Sequence, residues 1–332
     1  MAHRTYAIGD IHGDLDQLLD LLQRIGPLDK DDTLVFLGDY VDRGPQSKQV
    51  IEFIRFELPR RAHGAKIVCL RGNHEDAWLR VVDEGWDGFV LPPGNGCLAC
   101  LRSFTGGPIP TLGEQPTTDE EWDLLLSGDF YPDDVVQWMR SLPLWHEDEH
   151  AIYVHAGLPR DGDAFHHPSE VTNPVVLLWT RTLDFFKEYR GKTVIVGHTV
   201  TSLLPPELSS YTPENPEDLW AGTDVLAIDT GRPQEARPVL ETALRQLEAE
   251  GRAAFVAAVQ VFLLPCLVHD GEQQRFEQVA EEAQAGLAST GFVDSDLARI
   301  AARAATDAEE RGWPGTIARV IATTQREKLG GS

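Results

Sequence analysis

Six short β-branched or apolar runs, Thr5–Gly9, Thr33–Leu37, Lys66–Leu70, Ala151–His155, Thr193–Gly197 and Val225–Asp229, narrow the folds open to this chain more than any other feature. Each has the length of one strand. The segments between them carry helical patterns or turn residues, the alternation expected of an α/β fold. Polar groups stand where the runs end: Asp10-Ile11-His12-Gly13, Gly38-Asp39, Gly72-Asn73-His74, His155 and Gly197-His198. In open α/β sheets the carboxyl ends of strands converge on one crevice, so these five groups, far apart in sequence, are expected to meet.

Between the first two runs, Leu15, Leu18, Leu19, Leu22 and Ile25 repeat at helical spacing, Asp14 with Gln17 resembles a capping box, and Gly26-Pro27 ends the turn. A second helix is expected from about Ser47 to Leu58 and a third from near Glu75. Pro92-Pro93-Gly94, Gly106-Gly107-Pro108 and Pro110 break the rhythm between Asp83 and Trp145, ahead of helical runs near Asp119–Leu126 and Asp133–Leu142. The stretch reads as an insertion that forms either the wall or lid of a site or a packed surface appendage. After Gly231 the chain turns rich in Ala, Glu, Arg and Gln. Val239–Lys328 is expected to be a helical addition with breaks near Pro265, Gly291 and Pro314.

Composition bounds the partners. A formal net charge of -24 repels a nucleic-acid backbone or an anionic membrane over most of the surface, so a phosphate substrate needs something locally positive, such as bound metal ions. The expectation is therefore no nucleic-acid polymer and no membrane partner. The N-terminus enters a strand-like run without an apolar signal region, which points to the cytoplasm and to Cys69, Cys97, Cys100 and Cys266 as free thiols. Ala253–Val268 is apolar but shorter than the roughly 20 residues of a membrane span and is interrupted by Gln260 and Pro265, so it reads as a buried helix.

Aspartate, histidine and asparagine are hard-to-borderline ligands for Mn, Fe or Zn, and a carboxylate can bridge two ions. Asp10, His12, Asp39, Asn73, His155 and His198 make six such donors, enough for two divalent metals, Mn(2+) first among them. A pair of ions can activate a water and clamp the oxygens of an in-line phosphoryl displacement. Arg43 is the strongest candidate for a planar guanidinium fork on phosphate.

Taken in order, Gly9-Asp10-Ile11-His12-Gly13, Gly38-Asp39-Tyr40-Val41-Asp42-Arg43-Gly44, Arg71-Gly72-Asn73-His74-Glu75, His155-Ala156-Gly157-Leu158 and Gly197-His198-Thr199 resemble the motif set of the phosphoprotein phosphatase family of metallophosphoesterases. The bacterial serine/threonine branch is most similar, and the related symmetrical diadenosine tetraphosphatases are similar as well. The resemblance spans about residues 5–231. It implies an α/β metallophosphoesterase-type β-sandwich flanked by helices in a catalytic domain placed over 1–238, and leaves the last hundred residues uncovered; the lid-like insertion at 83–145 and the helical addition over 239–332 rest on the sequence pattern alone.

The same resemblance implies that Asp10, His12 and Asp39 hold one ion, and that Asp39, Asn73, His155 and His198 hold the other, with Asp39 bridging. It makes His74 the general acid, Asp42 the carboxylate that orients it, and Arg71 and Arg181 further phosphate-binding arginines beside Arg43. The implied reaction is hydrolysis of phosphoserine or phosphothreonine in proteins, with phosphotyrosine as a further substrate, by metal-activated hydroxide. Symmetrical dinucleoside polyphosphate hydrolysis is the enzymatic alternative. Asp42 beside Arg43 separates the two, because the dinucleotide branch usually lacks that aspartate. A third alternative is a partner-binding scaffold with a silent core, the partner docking on the C-terminal helices. Where the family continues Ile-Asp-Thr-Gly with an aromatic residue and a glycine pair, Ile228-Asp229-Thr230-Gly231 runs into Arg232-Pro233. Cys97-Leu98-Ala99-Cys100 and His166-His167 are expected to be structural thiols and a surface loop.

Overall fold

The structure is a computed structural model describing residues 4–111, 114–162, 164–210, 219–229, 272–290, 301–302, 304–306, 308–309 and 311–328. The chain divides into two compact units, Met1–Gly231 and Arg232–Ser332.

In the first unit, β1 (Thr5–Ile8), β2 (Thr33–Phe36) and β3 (Lys66–Cys69) form a parallel sheet in that order. Their connections are helical. The first, α1 (Leu15–Ile25), is capped by Asp14, whose side chain accepts the Gln17 N–H, and ends at Gly26 with φ 80°. The second starts as α2 (Ser47–Glu52), widens into a π turn over Phe53–Glu57 and closes as α3 (Leu58–Arg61). The third, α4 (Asn73–Glu84), follows β3 after three intervening residues.

An inserted segment then adds four helices, α5 (Asp87–Val90), α6 (Cys97–Thr105), α7 (Asp119–Ser127) and α8 (Asp133–Ser141). Its Phe89, Leu101, Tyr131 and Met139 share one hydrophobic core with Leu34 and Phe36 of β2, so burial makes it a wall of the domain and not an appendage. Sequence periodicity misses α6. Cys97 to Arg102 are all buried, so the helix lacks the polar stripe that would mark it.

A second sheet, mixed, runs in the order β4 (Trp145–Glu147), β5 (Ile152–Val154), β8 (Val194–Val196), β10 (Val225–Ala227), β9 (Trp220–Ala221). The central three strands are parallel and the two edges antiparallel. Between β5 and β8 lie a small hairpin, β6 (Arg160–Asp161) with β7 (Ala164–Phe165), and two short helices, α9 (Val175–Trp179) and α10 (Leu183–Glu188).

The period of two along each strand builds the sandwich. Val35 and Leu37 pack against Ala151 and Tyr153 between the sheets, while Leu34 and Phe36 face the helices of the first sheet and Ile152 and Val154 those of the second.

The second unit contains α11 (Gln273–Thr290) and α12 (Thr316–Lys328), with a small core of Phe276, Val279, Ala280, Ala304, Ala305, Ala308 and Ala318 against Trp313 and Ile317. Alanine at the core positions lets helical segments approach closely. Ala253–Val268, the break at Pro265 and Arg232-Pro233 lie outside the described residues. No helix among the described residues is long and apolar enough to cross a membrane.

Candidate metal centre

The loops leaving β1, β2, β5 and β8 and the first turn of α4 bring their polar residues together. Among the described residues, the non-glycine positions with left-handed backbone are His12 (φ 46°), Asp39 (51°), Asp42 (70°), Arg43 (66°), His63 (51°) and His198 (61°), and all except His63 belong to this cluster. Each such conformation costs on the order of 1–3 kcal/mol and persists only where surrounding contacts impose it. Here the contacts are tight glycines. A Cβ on Gly72 would lie 2.1 Å from Asp39 Oδ1, and one on Gly197 would lie 2.2 Å from Asp10 Oδ1.

Asp39 occupies the middle. Its Oδ2 is 3.6 Å from His12 Nε2, and its Oδ1 is 3.5 Å from His155 Nε2, so its two oxygens face two different sets of donors. On the first side, Asp10 Oδ2 is 4.0 Å from His12 Nε2. On the second, Asn73 Oδ1 lies 2.8 Å from both His155 Nε2 and His198 Nδ1. Backbone carbonyls fix two of the rings: His12 Nδ1 is 2.9 Å from the Val41 oxygen and His155 Nδ1 is 2.9 Å from the Leu37 oxygen.

The donor set fits cations. A neutral His155 that donates from Nδ1 to Leu37 has only a lone pair at Nε2, and that lone pair faces the Asn73 and Asp39 oxygens. Acceptors converging this closely in a buried site require a positive centre between them. Charge balance agrees. Burial, then the neighbouring Asp229, raises the Asp10 carboxyl well above the ordinary range, and burial pushes Asp39 up to about 7. Burial lowers His155, lowers His12 together with Arg43, and lowers His198 together with Arg181, leaving neutral imidazoles beside uncompensated acids. His12, Asp39 and His74, and Asp39, His155 and His198, form two groups close enough to hold an ion each.

Around the donors stand proton-bearing and cationic groups. His74 Nδ1 is 2.7 Å from Asp42 Oδ2, with the residues 2% and 0% exposed. Arg43 Nη1 reaches His12 Nε2 at 2.7 Å, and its Nη2 is 3.5 Å from His74 Nε2. Arg181 Nε donates to His198 Nε2 at 3.0 Å. Arg71 is engaged elsewhere: it pairs with Asp76 at 3.4 Å and donates to the Arg140 carbonyl at 2.7 Å, while its buried Nε has no hydrogen-bond partner among the described residues. Binding phosphate through Arg71 would require release from Asp76.

Three supporting residues carry no role in the sequence reading. The Glu75 carboxylate accepts the N–H groups of Asp39 (2.9 Å), Tyr40 (2.8 Å) and Gly72 (2.9 Å), tying the β2 loop to α4. Asp229, at the end of the sixth run, is buried and raises Asp10 electrostatically. Trp78 donates to Asp42. The signal for Glu75 and Trp78 was their place on the first turns of α4, which reads equally as ordinary helix sequence. Cys97 and Cys100 are buried free thiols, and His166 and His167 pair with Glu170 and Glu147 at 3.2 Å each, on exposed contacts.

The family profile described as Calcineurin-like phosphoesterase matches residues 3–202. A protein named "Bis(5'-nucleosyl)-tetraphosphatase, symmetrical" from Marinomonas sp. is 30% identical over 157 residues, 47% of this chain and 44% of that protein. The match thus spans less than half the length of that relative. Among solved structures, a serine/threonine phosphatase from Saccharomyces cerevisiae is 17% identical, with TM-score 0.37 over 69% of this chain and 70% of that one. A cold-active protein-tyrosine phosphatase of Shewanella sp. is 20% identical, with TM-score 0.40 over 70% of this chain and 74% of that one.

Proposed function

The chain belongs to the calcineurin-like phosphoesterase family, and on that premise we propose that it hydrolyses phosphomonoesters with poor leaving groups, phosphoserine and phosphothreonine in proteins first and phosphotyrosine second. As a metallophosphoesterase it is a phosphoester hydrolase built around a dinuclear metal centre. Asp10, His12 and Asp39 would hold one ion and Asp39, Asn73, His155 and His198 the other. Mn(2+) suits this set of N and O donors, with Fe or Zn as alternatives. When bound, the ions supply Lewis acidity to the phosphoryl oxygens and an acidified water.

The chain's own residues do the rest. Arg43 and Arg181 present guanidinium groups beside the donors, where they neutralise phosphoryl oxygens and fix the group for in-line displacement. With Nδ1 held by Asp42, His74 donates a proton from Nε2 to the leaving oxygen, which departs as the neutral alcohol. Burial pushes the Asp42 carboxyl up to about 7, and burial with Arg43 lowers His74.

The observation that carries the proposal is the 2.7 Å contact between His74 and Asp42. An alkoxide cannot leave without a proton, whereas a nucleotide released from a phosphoanhydride can, so an oriented acid is what a phosphomonoesterase needs. The competing reaction, symmetrical cleavage of dinucleoside polyphosphates, is favoured by the name that the Marinomonas relative carries. Turnover of a phosphoserine peptide, diadenosine tetraphosphate and para-nitrophenyl phosphate by Mn-loaded protein separates them. His74→Asn is expected to lower kcat on the phosphoserine peptide by on the order of 10²–10⁴-fold and on the aryl phosphate far less. Equal losses with both metals retained would remove His74 from this role, and preference for the dinucleotide would overturn the substrate class. The C-terminal helices are proposed as a surface for a protein partner.

A further inference from the structure

His74 and Trp78 lie four residues apart on α4, so their side chains leave the same face one turn apart. Both reach Asp42. Trp78 Nε1 is 3.0 Å from Oδ1 and 3.0 Å from Oδ2, while His74 Nδ1 is 2.7 Å from Oδ2. The indole is fully buried and cannot swing: its ring meets Phe89, Phe130 and Tyr131 edge-on, with centroids 5.8, 5.1 and 5.3 Å away. Phe89 also packs edge-on against His74 at 5.3 Å. From the other side, the backbone N–H of Asp42 donates to Ser47 Oγ at 3.1 Å.

A carboxylate held by one imidazole can rotate about its terminal torsion, which is broad, and carry the imidazole with it. A donor shared across both oxygens fixes the carboxylate plane. We propose that Trp78 is a positioning residue for proton donation: its indole N–H sets the plane of the Asp42 carboxylate, which keeps Oδ2 on His74 Nδ1 and aims His74 Nε2 at the leaving oxygen. The inserted segment takes a part in this chemistry, because its Phe89, Phe130 and Tyr131 are the rings that brace the indole. The inference rests on the assignment of His74 as proton donor made above.

A buried indole N–H needs an acceptor whether or not it orients anything, so the test must separate aim from stability. Trp78→Phe keeps an aromatic ring and removes the donor, and Trp78→Leu, which also lacks a donor, serves if the first variant does not fold. In the full-length, Mn-loaded protein, the variant is expected to lower kcat on a phosphoserine peptide roughly 10–100-fold, the usual loss for an outer hydrogen bond that orients a working group. On para-nitrophenyl phosphate kcat should stay within about 3-fold, a difference too small to report an oriented acid. KM and bound metal should not change. Combined with His74→Asn, the substitution should add nothing on the peptide, since it acts through that ring. Equal losses on both substrates, or losses that add to those of His74→Asn, would reduce Trp78 to a core residue. If His74→Asn is selective and Trp78→Phe is not, only the Trp78 proposal falls. If His74→Asn is itself unselective, the proton-donor assignment falls and takes this proposal with it.

Discussion

The two sides of Asp39 are built differently. On one side His12 keeps 13% of its side chain exposed, sits on left-handed backbone and has Arg43 and His74 beside it. On the other, His155 has no exposed side chain, its Nδ1 is tied to the end of β2 through the Leu37 carbonyl, and Asn73 is the first residue of a helix. The first side is a turn imposed by its neighbours and open to a substrate. The second ends in donors inside the core, although His198 there also sits on left-handed backbone. The difference is therefore one of exposure: both halves are held against their backbone preference, and one of them alone is open at its edge.

Asp39→Asn should break the comparison outright, because it is the one donor facing both sides. Loss of a shared carboxylate removes several kcal/mol of charge stabilisation, on the order of 10³-fold in kcat or more. Metal analysis should show fewer than two ions in a protein that keeps its circular dichroism. Wild-type turnover with both ions present would show that Asp39 does not bridge.

The sides should also separate in stability. In metal-free protein His155→Ala leaves a buried carbonyl without its donor and should cost about 1–3 kcal/mol. His12→Ala, at a partly exposed turn, should cost less, and denaturant unfolding of the two variants decides the order. An equal cost would mean that the contrast in burial has no energetic counterpart.

A smaller effect is expected from pH. Burial pushes Asp39 up to about 7, and burial with the Asp39 charge pushes Glu75 up to about 8. Carboxyls whose folded-state pKa is raised contribute stability that is fully present below their unfolded values and is lost as pH rises through the folded ones. His12, His74, His155 and His198 are lowered by burial and act in the opposite sense below about pH 7, so the window is set above it. Chelator-treated protein should melt at lower temperature at about pH 8.5 than at about pH 7, and added Mn(2+) should recover more at the higher pH. A metal-free protein that gains stability across that window would mean that these carboxyls are already compensated.

The candidate donors were legible because each follows an apolar run, and strand ends converge whatever the loops do. Asp10, Asp39, His155 and His198 meet for that reason alone. What stayed hidden depends on burial of both faces or on choice of partner. Helix α6 has no polar stripe to betray it. Glu75 reads as a first-turn acid, and only the fold shows three N–H groups pointing at it. Arg71 sits beside the Gly-Asn-His motif, yet the competition between Asp76 and a phosphate is a matter of distance that order in the chain does not encode.

The backbone N–H of His198 donates to both carboxylate oxygens of Asp10 across 188 positions of sequence. The two donor groups therefore differ in how much chain they need: His12 and Asp39 follow the first two strands, whereas His155 and His198 follow strands of the second sheet. A fragment ending before β5 lacks two donors of the second group whatever its N-terminal strands do.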